Sequence, residues 1–374
     1  MDPIHPTRHY GALLLLGSLL LVACGPDAAS TPTAVAPTAT APPAPTAAAT
    51  SPATGKVTKI GLVTDVGHVD DKGYQQAIWT GVQQAAKDLG AQAVYIETAN
   101  PTDFSANIEQ MVSQGADPVV TSGFSLGAAT EAAARKHPTV QFIGIDQAID
   151  ASSTAAQLNN YAGLIFEEDK AGFLAGALAA QMTKTNNVGA ILGTDVIPAL
   201  WRFGEGFRAG AQYIQPPIAL QIMYHSDVDI SKTFSDPAWG KTTALAMITK
   251  GADVIFGAAG NTSTGALQAC AEQRQQGKMV YAIGVDVDQY YTVPEAGPAL
   301  LSSAQKLLAP GVAKLIHAAA DGTFKGGINV GEVGLAPFHE FDAQVPAAVK
   351  TRMQEIVQGL RDGTIKTKVP PAKP

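Results

Sequence analysis

The chain has 374 residues, with 25 Lys and Arg against 32 Asp and Glu, and its net charge of -7 leaves no basic patch for a nucleic-acid backbone. It holds two cysteines, Cys24 and Cys270, too few for a disulfide framework or a cysteine-based metal centre. Beyond residue 55 the chain is long enough, at 46% hydrophobic residues overall, for two domains with cores of their own.

At the N-terminus Arg8 and His9 precede an apolar run, Leu13 to Val22. The run is too short to cross a bilayer but suits the h-region of a signal peptide over residues 1–23. It ends in Leu21-Val22-Ala23-Cys24-Gly25, which has the form of a lipobox, so Cys24 is expected to open the mature chain and to carry a lipid. Residues 24–55 are nearly all Ala, Pro, Thr and Ser. Such a composition buries too little apolar surface to offset chain entropy, and an extended tether on a lipid anchor is expected. Nothing further along is apolar for long enough to cross a membrane, so the anchor is the expected membrane contact, on the extracytoplasmic face.

Ile60-Gly61-Leu62-Val63 predicts a short buried strand, and Gln75 to Leu89, with Ala77, Ile78, Val82, Ala85, Ala86 and Leu89 at helical spacing, predicts a helix. Between them lies a polar loop, Thr64 to Tyr74, with three carboxylates, a lysine and an aromatic ring. In open α/β sheets ligands sit at the carboxyl ends of strands, which makes this loop a candidate binding edge. Asp70 and Asp71 suit capping of the next helix better than ligand contact, and His68 suits a solvated loop. Asp103 to Gln114 predicts a second helix with Phe104, Ile108, Met111 and Val112 on one face, stopped by Gly115. A strand through Val119 and Val120, a helix through Ala128 to Lys136, and a strand from Val140 to Ile145 complete the pattern.

The same plan recurs further on. Thr64-Asp65 is matched by Thr194-Asp195 after Val188 to Leu192, Gly115-Ala116-Asp117 by Gly251-Ala252-Asp253, Gly144-Ile145-Asp146 by Gly284-Val285-Asp286, and Tyr74 by Phe203, at offsets that drift only from 129 to 140 residues. A duplicated lobe follows. Alternating short strands and helices predict parallel sheets covered on both faces. We therefore expect an α/β protein of two Rossmann-like lobes joined by a hinge, with residues 56–160 and about 288–325 in the first and 161–287 and about 326–368 in the second. Ala309 to Ala320 and Val345 to Leu360 read as helices, and Gly326 to Leu335 as an extended return between lobes. Trp79, Phe104, Phe142, Phe173 and Cys270 fit core positions, whereas Tyr74 and Phe203, flanked by polar residues, fit a pocket. Removing either ring is expected to abolish most of the stabilisation a ligand confers and to leave the stability of the unliganded protein almost unchanged.

Gly61-Leu62-Val63-Thr64-Asp65, Val69 to Tyr74, Arg202-Phe203-Gly204-Glu205-Gly206-Phe207, Gly251 to Phe256, Ala258-Ala259-Gly260 and Gly284 to Gln289 together resemble the basic membrane protein family. These are substrate-binding lipoproteins of ABC transporters, several of which bind purine nucleosides, and the resemblance runs from about Lys59 to Pro337. It implies a type I periplasmic-binding-protein fold with the ligand between the lobes. Tyr74, where the family usually has Phe, and Phe203 are implied to sandwich the base. Asp65, Asp146 and Asp286 are implied to accept hydrogen bonds from base or ribose, with Lys306 on the ribose side and Gln75, Ser122 and Gly260 completing the ligand-binding set. The family's Ser-Phe-Asn-Gln run is Gly73-Tyr74-Gln75-Gln76 here, and Asn261-Thr262-Ser263 replaces a Gly-rich run; both flank the expected pocket and bear on which ligand it takes.

The chemistry agrees with such a ligand. Stacking on a base contributes on the order of 1 to 3 kcal/mol, and a hydroxyl donating to a carboxylate roughly 1.5 to 3 kcal/mol. The expected function is a monomeric, lipid-anchored binding protein that delivers a nucleoside, with purine the expected base, to an ABC transporter permease. It needs no cofactor, metal, nucleic acid or covalent step. Two alternatives stand beside it: a receptor feeding a membrane sensor, and a nucleoside-processing enzyme, since Thr64 to Asp71 faintly resembles the calcium loop of nucleoside hydrolases. Against the enzyme, Val63 stands where that loop needs an acid.

Overall fold

The computed structural model describes residues 56–373 apart from 66 and 151. The expected signal peptide, Cys24 and the tether lie outside the described residues. The described chain forms two six-stranded sheets. The first holds β1 (Lys59–Thr64), β2 (Gln92–Ile96), β3 (Val119–Ser122), β4 (Phe142–Ile145), β5 (Tyr161–Ile165) and β11 (Gly327–Val330), in the order β11-β5-β4-β3-β1-β2. All its pairings are parallel. The second holds β6 (Asn187–Leu192), β7 (Ala219–Tyr224), β8 (Val254–Ala258), β9 (Tyr281–Asp286), β10 (Leu300–Lys306) and β12 (Val333–Leu335), in the order β12-β10-β9-β8-β6-β7. Only β12 runs antiparallel, against β10.

Each sheet is buried on both faces, so its inner strands are apolar throughout and not alternating. In the first lobe α1 (Tyr74–Leu89) and α10 (Leu308–Ala320) cover one face, and α2 (Phe104–Ser113) and α3 (Gly127–Lys136) the other. The first two helices meet closely because a Cβ on Gly81 would fall 2.6 Å from the Ala309 carbonyl oxygen. In the second lobe α4 (Glu168–Met182) packs on α5 (Pro198–Ile214) through glycines on both helices. A Cβ on Gly172 or Gly176 would fall 2.2 or 2.0 Å from backbone oxygens of α5, and one on Gly206 or Gly210 equally close to α4. That close approach seats the start of α5 beside the first turn of α4. The chain continues through α6 (Ile230–Thr233), α7 (Pro237–Thr249), α8 (Asn261–Gln275) and α9 (Gln289–Thr292), and α11 (Ala347–Asp362) closes the lobe.

The chain crosses between lobes after β5, after β10 and between β11 and β12, and the three crossings are bonded to one another. Gly331 N–H donates to the Ile165 oxygen at 2.8 Å and Leu307 N–H to the Glu332 oxygen at 2.9 Å. These positions correct the expected boundaries. The sequence pattern places Tyr161–Ile165 in the second lobe, but its residues are buried on both faces and need a strand on each side, which β4 and β11 supply. Residues 288–306, expected in the first lobe, belong to the second because β10 lies between β9 and β12. β2 and β7, which are not among the strands read from the sequence, are half-exposed edge strands. Cys270, Phe104, Phe142 and Phe173 sit in the cores. Trp79 is only half buried and meets Tyr95 edge to face at 5.0 Å.

Candidate functional site

The carboxyl ends of both sheets face a common cleft. It encloses about 960 Å3, part of it open to solvent. The first lobe contributes Asp65, Tyr74, Gln75, Phe124 and Asp146; the second contributes Phe203, Phe234, Gly260, Asp286 and Lys306. Eight of the nine ligand-binding residues named from the sequence therefore share one cavity. Ser122 does not line it and instead donates through Oγ to Gln75 Oε1, while Gln75 Nε2 donates to Asp65 Oδ1 at 2.8 Å. Each partner holds the next, so the amide cannot turn over without breaking two bonds. The next residue, Gly123, has φ of 110°, and a Cβ there would lie 1.9 Å from Asp65 Oδ2. Glycine at this position is what lets the carboxylate sit against the strand end.

Asp71 lines the same edge but works as a cap. Its Oδ1 accepts from the N–H groups of Gly73 (2.9 Å) and Gln76 (3.1 Å), and its Oδ2 from that of Gln75 (3.0 Å). It thereby satisfies donors at the start of α1 that have no partner within the helix.

Asp146 and Asp286 end the corresponding strands β4 and β9, and both adopt left-handed backbone, with φ of 58° and 64°. This conformation is rare for residues other than glycine, and short polar side chains tolerate it best. Lys306, at the end of β10, is 3% exposed. Its ammonium donates to both Asp146 oxygens, at 2.7 and 2.6 Å, and stands 3.2 Å from Glu168 Oε1 at the start of α4. Burial alone would favour the neutral amine, but Asp146, Glu168 and Asp286 outweigh it and hold the ammonium more firmly charged than an ordinary lysine. Asp286 is pushed up to about 7, first by burial and then by Asp146, Asp71 and Glu168, with Lys306 opposing. Glu168 is raised too, chiefly by burial. Arg202, one residue before Phe203, reaches back to Glu168 and Asp169 and ties α5 to this cluster.

The apolar surface comes from both sides. Tyr74 is half buried, and its hydroxyl donates to the Ile145 oxygen at 3.4 Å. Burial and then the carboxylates Asp146, Asp65 and Asp286 keep the phenol protonated. Lys306 Nζ lies 5.2 Å from the centre of its ring. Phe203 is only 2% exposed and packs 6.0 Å from Phe256, so it belongs to the core as well as to the cleft wall. That corrects the expectation that its loss would leave stability almost unchanged.

The duplication does not extend to function at every pair. Asp195, the counterpart of Asp65, pairs with Lys373 at 2.6 Å and accepts from Ser226 at 3.0 Å. Sequence reasoning overlooks Phe124, which the strand-end rule would have found because it follows β3 by two residues. It also overlooks Glu168, which reads as an ordinary acidic helix start, and Phe234, which sits in a loop with no local signal.

Two lobes of parallel sheet, three crossings and a cleft at the strand ends define the type I periplasmic-binding-protein fold. A solved solute-binding protein of an ABC transporter system from Aeropyrum pernix superimposes with a TM-score of 0.73 at 24% identity, over 83% of this chain and 92% of its own. Residues 58–335 match the family model of the PnrA-like ABC transporter substrate-binding proteins, and the chain belongs to that family. The nucleoside-binding protein BmpA of an ABC transporter from Lactococcus lactis is 33% identical over 229 residues, 59% of this chain and 61% of the relative. A lipoprotein of Pyrococcus abyssi is 30% identical over 264 residues, 68% of this chain and 62% of the relative. The chain thus spans about three fifths of the length of these relatives. Among the described residues no helix is long and apolar enough to cross a membrane.

Proposed function

We propose that this protein is the lipid-anchored, extracytoplasmic solute-binding component of an ABC importer, that it captures a nucleoside, with purine the favoured base, and that it does so by closing its lobes. The observation that carries this reading is the cleft itself: one aromatic ring from each lobe, Tyr74 and Phe203, beside carboxylates at strand ends, Asp65, Asp146 and Asp286. Rings meet the flat faces of a base, and carboxylates accept from ribose hydroxyls and ring N–H groups. Because the walls come from different lobes, a bound ligand stabilises the closed form more than the open one. The family membership and the nucleoside binding for which the Lactococcus relative is named support the same ligand class. Binding and release complete the task, with no covalent step.

A thermal-shift screen over nucleosides, free bases, sugars and amino acids tests this. At least one nucleoside should raise the melting temperature by mass action on the folded state. A response to sugars or amino acids alone would overturn it. Release of the chain from membranes by Cys24→Ser tests the anchor, and retention of that variant would refute it.

A further inference from the structure

The loop between β1 and α1 touches the second lobe through its backbone, outside the cleft lining. The Lys72 carbonyl oxygen accepts from Thr292 Oγ1 at 2.7 Å and from Gln289 Nε2 at 3.4 Å. Lys72 Nζ stands 3.8 Å from Glu295, but that pair is well exposed and contributes little. We infer that Lys72, Gln289 and Thr292 form a latch that sets how long the lobes stay together, and hence the affinity for every ligand, without any of the three touching the ligand. The inference rests on the binding-by-closure reading above.

Both halves of the latch are held in place by their own lobes. Lys72 has φ of 60°, uncommon for a residue with a side chain. Its loop is pinned by Val69 N–H donating to Glu97 Oε1 at 2.8 Å and by His68 Nδ1 at 3.0 Å from Glu97 Oε2. Gln289 is 2% exposed; its Oε1 accepts from Val285 N–H at 2.9 Å, and its own N–H donates to Ser303 Oγ at 3.1 Å. Its Oε1 lies 2.4 Å from where a Cβ on Gly284 would be. The first lobe has a glutamine in the matching place, Gln147, whose Oε1 lies 2.1 Å from the would-be Cβ of Gly144. That side chain is used inside its own lobe, donating to Gly123 O at 3.1 Å and accepting from the Tyr161 hydroxyl at 2.8 Å. Of two glutamines placed alike by the duplication, one spends its amide within its lobe and the other reaches across.

The latch is continuous with the cleft. Lys72 precedes Tyr74 by two residues, and Gln289 follows Asp286 by three. A carbonyl bonded across the gap favours the closed form whatever lies inside, and apparent affinity scales with the fraction of molecules in that form.

The test is Thr292→Val, which keeps the shape and removes the donor. Affinity should fall about two- to tenfold, by the same factor for each nucleoside bound, with the change in the dissociation rate. Thr292→Ser should restore it, and Glu295→Gln should change it less than twofold. Spin labels at Tyr95→Cys and Met223→Cys, both exposed on the outer strands of their sheets, report the lobe separation in the full chain carrying Cys24→Ser, with Cys270 buried and unlabelled. Without nucleoside, Thr292→Val should populate longer distances than the parent. Unchanged distances, or a larger effect from Glu295→Gln than from Thr292→Val, would overturn the latch. If the parent binds no nucleoside, the ligand reading fails, and the distance distributions still decide the latch.

Discussion

Asp286 makes a stability cost that depends on pH and that a single substitution should remove. The carboxyl is buried among Asp146, Asp71 and Glu168, and it is pushed from the usual 3.8 up to about 7. That interval corresponds to about 4 kcal/mol at roughly 1.4 kcal/mol per pH unit. Below about pH 4 folded and unfolded chains both carry the proton, and nothing is lost. As pH rises the unfolded chain ionises first while the folded one keeps its proton, so this group lowers stability steadily until about pH 7 and no further. Asp286→Asn has no such dependence. Urea unfolding of both proteins at pH 5 and pH 8, followed by circular dichroism, should show the stability gap moving by about 2 to 3 kcal/mol in favour of the variant. Titrating groups away from this cluster are common to both proteins and cancel. The same variant should lose affinity for nucleoside, so that binding and stability move in opposite directions. A gap that does not change with pH, or a variant less stable than the parent at pH 8, would refute the reasoning.

Lys306→Met should cost about 3 to 5 kcal/mol in unfolding experiments, because Asp146 and Glu168 lose the buried ammonium between them and only Arg202 remains near Glu168; a loss under about 1 kcal/mol would contradict the charge cluster. Phe203→Ala should cost about 3 to 5 kcal/mol through the cavity left against Phe256, and Tyr74→Ala, half buried, less than half as much. Calorimetric melting of the two variants without nucleoside checks the order, and equal losses would count against it. A nucleoside 5′-monophosphate should bind at least about a hundredfold more weakly than its nucleoside, since a phosphate about 5 Å from a cleft carboxylate is repelled by roughly 3 kcal/mol. Titration calorimetry decides this, and equal affinities would exclude the proposed charge balance.

The plan of the fold was legible in the sequence because buried parallel strands are continuous apolar runs, and Val188 to Leu192 or Val140 to Ile145 need little context to be recognised. Placing the crossings is harder. Tyr161–Ile165 looks the same whether it begins one lobe or ends the other, and only its partners β4 and β11 decide. The family resemblance pointed to Asp65, Asp146 and Asp286, and the strand-end rule agrees with it, since each of these carboxylates follows an apolar run. It could not say that Ser122 supports Gln75, that Lys306 is buried, or that Phe203 is shared with the core. Those facts depend on contacts between residues far apart in the chain, such as the 160-residue separation of Lys306 and Asp146.

The last stretch of chain threads both halves. The first lobe lacks α10 and its outer strand β11 until residue 330 has emerged from the ribosome, and the second lacks β12 and α11 until close to the end of the chain. The first lobe therefore cannot finish folding until most of the second has been made, and an N-terminal fragment ending at residue 306 would present an uncovered strand, β5, to any neighbour able to pair with it. For the extracytoplasmic protein proposed above this has a use: neither lobe is complete, and the chain stays threadable, until β11 has been made.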